Sequence, residues 1–139
     1  GSHYTPRALT QPIVATTFRP IFERLGEQAT PEQILELTVC DPAMGSGAFL
    51  VEACRLLAER LVRAWEVHKA TPKVPDDEDV LTYARRLVAD EVAFEPGNPS
   101  LDQLGIERDG RNPPEEARDA RVPQEVPEGL PDPQEPVVI

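Results

Sequence analysis

One stretch constrains this chain more than any other: Leu35-Glu-Leu-Thr-Val-Cys-Asp-Pro-Ala-Met-Gly-Ser-Gly-Ala-Phe-Leu-Val51. It opens as an apolar, β-rich run (Leu37, Val39, Cys40) with the pattern of a short buried strand. Asp41-Pro42 stops that strand, because proline has no N–H to give to a ladder and its φ is fixed near −65°. Gly45-Ser46-Gly47 follows, and from Ala48 the apolar period becomes that of a helix. Strand, acidic turn, glycine loop and helix in this order form a cradle. Glycine lets backbone approach a bound molecule, and a fresh helix start offers N–H groups and a positive dipole end.

Spacing separates the ligands such a cradle serves. A P-loop requires Lys and then Ser or Thr after its last glycine, and Gly47 is followed by Ala48-Phe49. A dinucleotide fingerprint requires a third glycine three residues after the second, and that position is Leu50. What remains is Asp41-Pro42-Ala43-Met44-Gly45-Ser46-Gly47-Ala48-Phe49-Leu50. This string resembles the S-adenosyl-L-methionine loop of the adenine-specific DNA amino-methyltransferases of restriction-modification and phage-defence systems, whose usual form is Asp-Pro-Ala-(Cys or Met)-Gly-Ser-Gly-x-Phe-Leu. A plain strand-to-helix turn is the bland explanation of a bare Gly-x-Gly; the full string with its proline and Phe-Leu pair goes beyond it.

The physics suits that ligand, whose methionine end carries an ammonium and a carboxylate. Asp41 at the strand's carboxyl end pairs with the ammonium in this reading, and the N–H groups around Gly45 to Ala48 take the carboxylate or lie along the ribose. The chain's opening, Gly1-Ser2-His3-Tyr4-Thr5-Pro6-Arg7, also resembles the start of these catalytic domains. The resemblance implies that Tyr4 and Thr5, with Pro6, close over the methionine end of the cofactor. On residue chemistry alone Thr5 is an N-cap with Pro6 in the first turn, which is compatible with that role. Gly1-Ser2-His3 also has the form of a cloning scar.

Apolar positions at Leu9, Ile13, Val14, Phe18, Ile21, Phe22 and Leu25 predict a helix from about Thr10, with Pro12 and Pro20 predicting a break or kink near Arg19 and Gly26 ending it. Thr30-Pro31-Glu32-Gln33 reads as a capping box leading through a short helical turn at 34–37 into the first strand. After the loop, Leu50, Cys54, Leu57, Leu61 and Trp65 form one helical stripe, with Glu52, Arg55, Glu59, Arg60, Arg63 and Glu66 assigned to the opposite side. Trp65 belongs to the core and His68 to the helix's carboxyl end. Residues 71–75 are a linker. A further helix starts at Asp76 to Asp79, with Leu81, Ala84, Leu87 and Val88 inward and Arg85 and Arg86 outward. Residues 91–95 predict a second strand. The family carries an acidic residue holding the ribose hydroxyls near this point, and Glu95 is the only candidate, although the family's Asp-x-Asn-Pro context is altered here to Glu95-Pro96-Gly97-Asn98-Pro99.

Beyond Phe94 no aromatic residue remains, and from Pro96 onward nine of the sixteen prolines occur and ten acidic residues face four arginines. Such a tail is expected to be disordered. Within it, Asn112-Pro113-Pro114-Glu115 resembles the family's catalytic Asn-Pro-Pro-aromatic motif, in which the aromatic residue stacks on a flipped base. Glu115 replaces that aromatic, and no buried strand precedes it, so the string is read as a decoy and no catalytic residue is assigned.

The expected architecture is α/β: a partial Rossmann-like methyltransferase fold with an N-terminal helical segment (1–29), an incomplete strand–loop–helix cofactor core (30–95) and a disordered tail (96–139). Net charge is −11 with no basic stripe, which excludes a chain that grips nucleic acid by itself. DNA is therefore expected only through a separate catalytic and target-reading part, and a partner polypeptide is expected to complete the sheet. Cys40 and Cys54 read as reduced thiols in a cytoplasmic chain, with no metal site and no membrane span.

Overall fold

The computed structural model describes residues 5–42, 47–95, 97–106 and 136–139. Along the chain run α1 (Arg7–Leu25), α2 (Pro31–Leu35), β1 (Thr38–Cys40), α3 (Ala48–His68), α4 (Val80–Glu91), β2 (Ala93–Glu95) and β3 (Val137–Val138). The strands form one parallel sheet in the order β2-β1-β3, so this is an α/β arrangement with the glycine-loop strand in the centre. Val39 lies beside Phe94 on one side and Val137 on the other; Cys40 lies beside Glu95 and Val138. The ladder runs on past the strands, with the Asp41 N–H donating to the Glu95 carbonyl (3.1 Å) and the Ile139 N–H to the Cys40 carbonyl (2.9 Å).

The long helix α3 organises the core. Its predicted stripe is realised: Leu50, Cys54, Leu57, Leu61 and Trp65 are all buried, and α3 packs against both α1 and α4. Each such Leu removes enough apolar surface from water to stabilise by about 1.5–3 kcal/mol. Trp65 meets Tyr83 of α4 with ring centroids 6.1 Å apart, as a core residue. The Cys54 thiol, pushed up to about 12 by burial against the opposing pull of Arg85 and Arg55, is inert packing; both cysteines are unpaired, and Cys40 is half-buried.

Several expectations need correction. Helix α1 begins at Arg7 rather than about Thr10 and runs through Pro12 and Pro20 as one element. Those prolines leave the carbonyls of Ala8 and Thr16 without helical partners, but both residues are exposed, so water can satisfy them. Pro6 is the N-cap and no side chain caps this helix, so Thr5 does not act as the cap; the Pro6 carbonyl accepts from the Leu9 and Thr10 N–H groups. The buried face is also turned by one position: Thr10, Val14 and Phe18 are inside, while Leu9 and Ile13 are exposed.

On α3, Glu52 is buried rather than on the solvated side, and on α4 Arg86 is buried in a pair with Glu78 (3.1 Å) rather than outward. The tail is not uniformly without structure. Residues 101–106 turn back so that Leu104 and Ile106 enter the core, and Val137–Val138 supplies a strand. Asn98 secures this return: its Oδ1 accepts from the Phe94 N–H (3.2 Å), and its Nδ2 donates to the Ala89 and Val92 carbonyls (both 2.8 Å).

The sheet has two unlike faces. Val39, Phe94 and Val137 are buried in the core with the helices. On the alternate positions Ala93, Glu95 and Val138 are exposed and Thr38 and Cys40 only half-buried. No helix among the described residues is long and apolar enough to cross a membrane.

Candidate functional site

The site forms at the carboxyl ends of the strands. Chain connections leave β1 toward β2 on one side and reach β3 on the other, so the order of the strands reverses at β1. In open α/β sheets, a crevice opens at the carboxyl end of the strand where the order reverses, and ligands bind there. The residue that follows β1 is Asp41, 94% buried, with its backbone held to Glu95. Pro42 next to it is exposed.

The chain re-enters the described structure at Gly47, in the left-handed region at φ 83°, a conformation that costs every L side chain and glycine none. Gly47 is the N-cap of α3 and contributes no side-chain cap; its carbonyl accepts the first helical bond from the Val51 N–H (2.9 Å). The N–H groups of Ala48, Phe49 and Leu50 have no acceptor within the helix, and the dipole of a 21-residue helix is positive at this end. Phe49 is half-buried beside this start and packs against the core.

Glu95 lies at the same end of the sheet, and the segment before α1 is tied to α3. Glu95 ends β2 directly beside Cys40 and is exposed, which puts an available carboxylate next to Asp41. Thr5 and Pro6 lead into α1, whose first residue, Arg7, donates through Nε to Glu52 on the second turn of α3 (3.2 Å). Sequence reasoning missed this pair, because nothing local links residues 45 positions apart. It also missed the structural use of Asn98, although Asn98-Pro99 carries the signature of a turn.

Asp41, Pro42, Gly47, Phe49 and Glu95 are thus placed at the ends of adjoining elements, with Thr5 and Pro6 tied to α3 through Arg7. Tyr4, Ala43, Met44, Gly45 and Ser46 lie outside the described residues, as does the Asn112-Pro113-Pro114-Glu115 string. Among the described residues no cluster of three or more His, Cys, Asp or Glu side chains has the arrangement of a metal site. The rim therefore combines acidic side chains with helix N–H donors, a set that fits a zwitterionic, hydroxyl-bearing small molecule. Compared with protein-family models, curated proteins and solved structures, the chain matches none.

Proposed function

We propose that this chain is the S-adenosylmethionine-holding part of an adenine-specific DNA amino-methyltransferase. The observation that carries the proposal is that the Asp41–Leu50 string leaves the central strand of a parallel sheet at its reversal point and runs into an uncapped helix start. Asp41 would hold the cofactor's ammonium and the N–H groups opening α3 its carboxylate. In this reading Glu95, exposed at the end of β2, would accept from the ribose hydroxyls, and Thr5 and Pro6 would close over the methionine end. The cofactor supplies an activated methyl group; these residues bind and orient it, and the buried setting of Asp41 strengthens its charge-assisted hydrogen bonds. The sequence holds no Asn-Pro-Pro followed by an aromatic residue, so acceptance of an adenine amino group is assigned to a separate part, and this chain alone is expected to transfer no methyl group.

Calorimetric titration with S-adenosylmethionine tests this. One cofactor is expected per chain, and Asp41→Ala should weaken binding about 10- to 150-fold, the worth of a hydrogen bond to a charged group. A folded chain that gives no heat, or an Asp41→Ala variant that binds as well as the parent, refutes the proposal.

A second reading, that the chain is a non-catalytic subunit needing a partner polypeptide, is favoured by the half-open sheet. Parallel sheets are ordinarily covered on both faces, and here one face displays Ala93, Glu95 and Val138. Cys40, half-buried at an alternate position of β1, reports on that face. A covering polypeptide should slow alkylation of Cys40 on mixing, while Cys54 stays unreactive with or without it. Unchanged Cys40 kinetics in a mixture that co-elutes as a complex would place the partner elsewhere.

A further inference from the structure

Helix α1 is held to α3 in two unlike ways. Along its middle the contact is apolar, through Val14 and Phe18, both fully buried. At its first turn the tie is ionic: one oxygen of Glu52 receives Arg7 Nε at 3.2 Å and Arg55 Nη1 at 3.5 Å. Glu52 keeps only 6% of its side chain exposed, while Arg7 keeps 54%. A buried carboxylate bears a desolvation cost that a hydrophobic residue of similar volume avoids, so stability alone is a poor reason for placing one here. What an ion pair adds over apolar packing is direction, since it fixes a guanidinium relative to one carboxylate oxygen.

We infer that Arg7 and Glu52 are positioning residues for the cofactor site: the pair fixes the start of α1, and with it Thr5 and Pro6, against the opening turns of α3. The inference rests on the cofactor reading above and adds to it a residue pair outside the glycine loop. Arg7 sits two positions after Thr5, and Glu52 five after Gly47, so the pair bridges the two segments assigned to the methionine end of the ligand. Arg55, one turn on from Glu52, neutralises the carboxylate from the other side and keeps it from being stranded when Arg7 is removed.

The test compares Arg7→Met, which keeps an apolar stem and loses the charge, with Arg7→Lys, by calorimetric titration with S-adenosylmethionine and by amide exchange at Leu9 and Thr10. Those two N–H groups donate to the Pro6 carbonyl and report the first turn directly. Arg7→Met is expected to weaken binding about tenfold and speed exchange at Leu9 and Thr10, with the urea unfolding midpoint nearly unmoved. Arg7→Lys should restore most of the affinity. If the parent binds and Arg7→Met binds equally well, the positioning role is overturned while the cofactor reading stands. If the parent gives no heat, the cofactor reading fails and takes this inference with it.

Discussion

The four helices among the described residues start in two ways. Helices α2 and α4 are capped by their own side chains: Thr30 accepts from the Gln33 N–H (3.2 Å) while Gln33 reaches back to the Thr30 N–H (2.9 Å), and Asp79 accepts from the Thr82 N–H (2.7 Å). Helices α1 and α3 have no side-chain cap; they open on Pro6 and on left-handed Gly47. The uncapped pair are the two helices tied together at their starts by Arg7 and Glu52. A side-chain cap consumes N–H groups that a ligand would use, so capping and anion binding compete for the same donors. Under the proposed function, the contrast separates helix starts that serve stability from those left open beside the candidate site.

The strongest way to break that contrast is Gly47→Asp. Aspartate is among the few residues that tolerate the left-handed region, so the backbone penalty is about 1–2 kcal/mol, to which the buried position of Gly47 adds a desolvation cost. The new carboxylate faces the N–H groups assigned to the ligand's own carboxylate, and affinity for S-adenosylmethionine should fall about 100-fold, or about 2.7 kcal/mol. Affinity held within about twofold would mean that the start of α3 does not face the ligand, and the distinction between the two kinds of helix start would lose its functional content.

How much of this was legible beforehand follows the range of the interactions. The capping box at Thr30 and Gln33 and the strand–glycine–helix run through Gly47 were readable because each signal lies within a few residues. So was the α3 stripe from Leu50 to Trp65, where the 3.6 period repeats over many turns. The buried side of α1 was not, because Thr10, its hydroxyl donating to the Arg7 carbonyl (3.4 Å), takes an inner position while the apolar Leu9 and Ile13 stay exposed. Nor were Glu52 and Arg86, whose burial depends on Arg7 and Glu78 arriving from elsewhere in the fold. The tail misled for the same reason. Two valines among prolines carry no sustained period, yet Val137 pairs with Val39, far away along the chain. Of the proposed site, Asp41, Gly47 and Glu95 are candidates from local pattern and family resemblance, and only the sheet register shows that Glu95 lies beside Cys40.

The smaller effect comes from the capped side, at Asp79. The Thr82 N–H, and after it the Thr82 hydroxyl at 3.0 Å, hold its carboxyl below the ordinary value of 3.8. A carboxyl whose pKa is lower in the folded chain contributes stability that is complete above its unfolded value and disappears as the pH falls through the folded value. Asp79 is exposed, so water screens the interaction and the contribution is modest. Asp79→Ala should cost about 0.5–1 kcal/mol at neutral pH, read from the urea midpoint at unchanged slope, and the difference from the parent should shrink as the pH drops below 3.8. Asp79→Asn keeps an acceptor for the Thr82 N–H and removes the titration, so its stability relative to Asp79→Ala should not vary with pH over the same interval. Neither change should alter affinity for S-adenosylmethionine. If Asp79→Ala weakened binding in proportion to stability, capped and uncapped starts would be one cooperative system, and the affinity lost in Gly47→Asp would then have to be reassigned to folding rather than to the site.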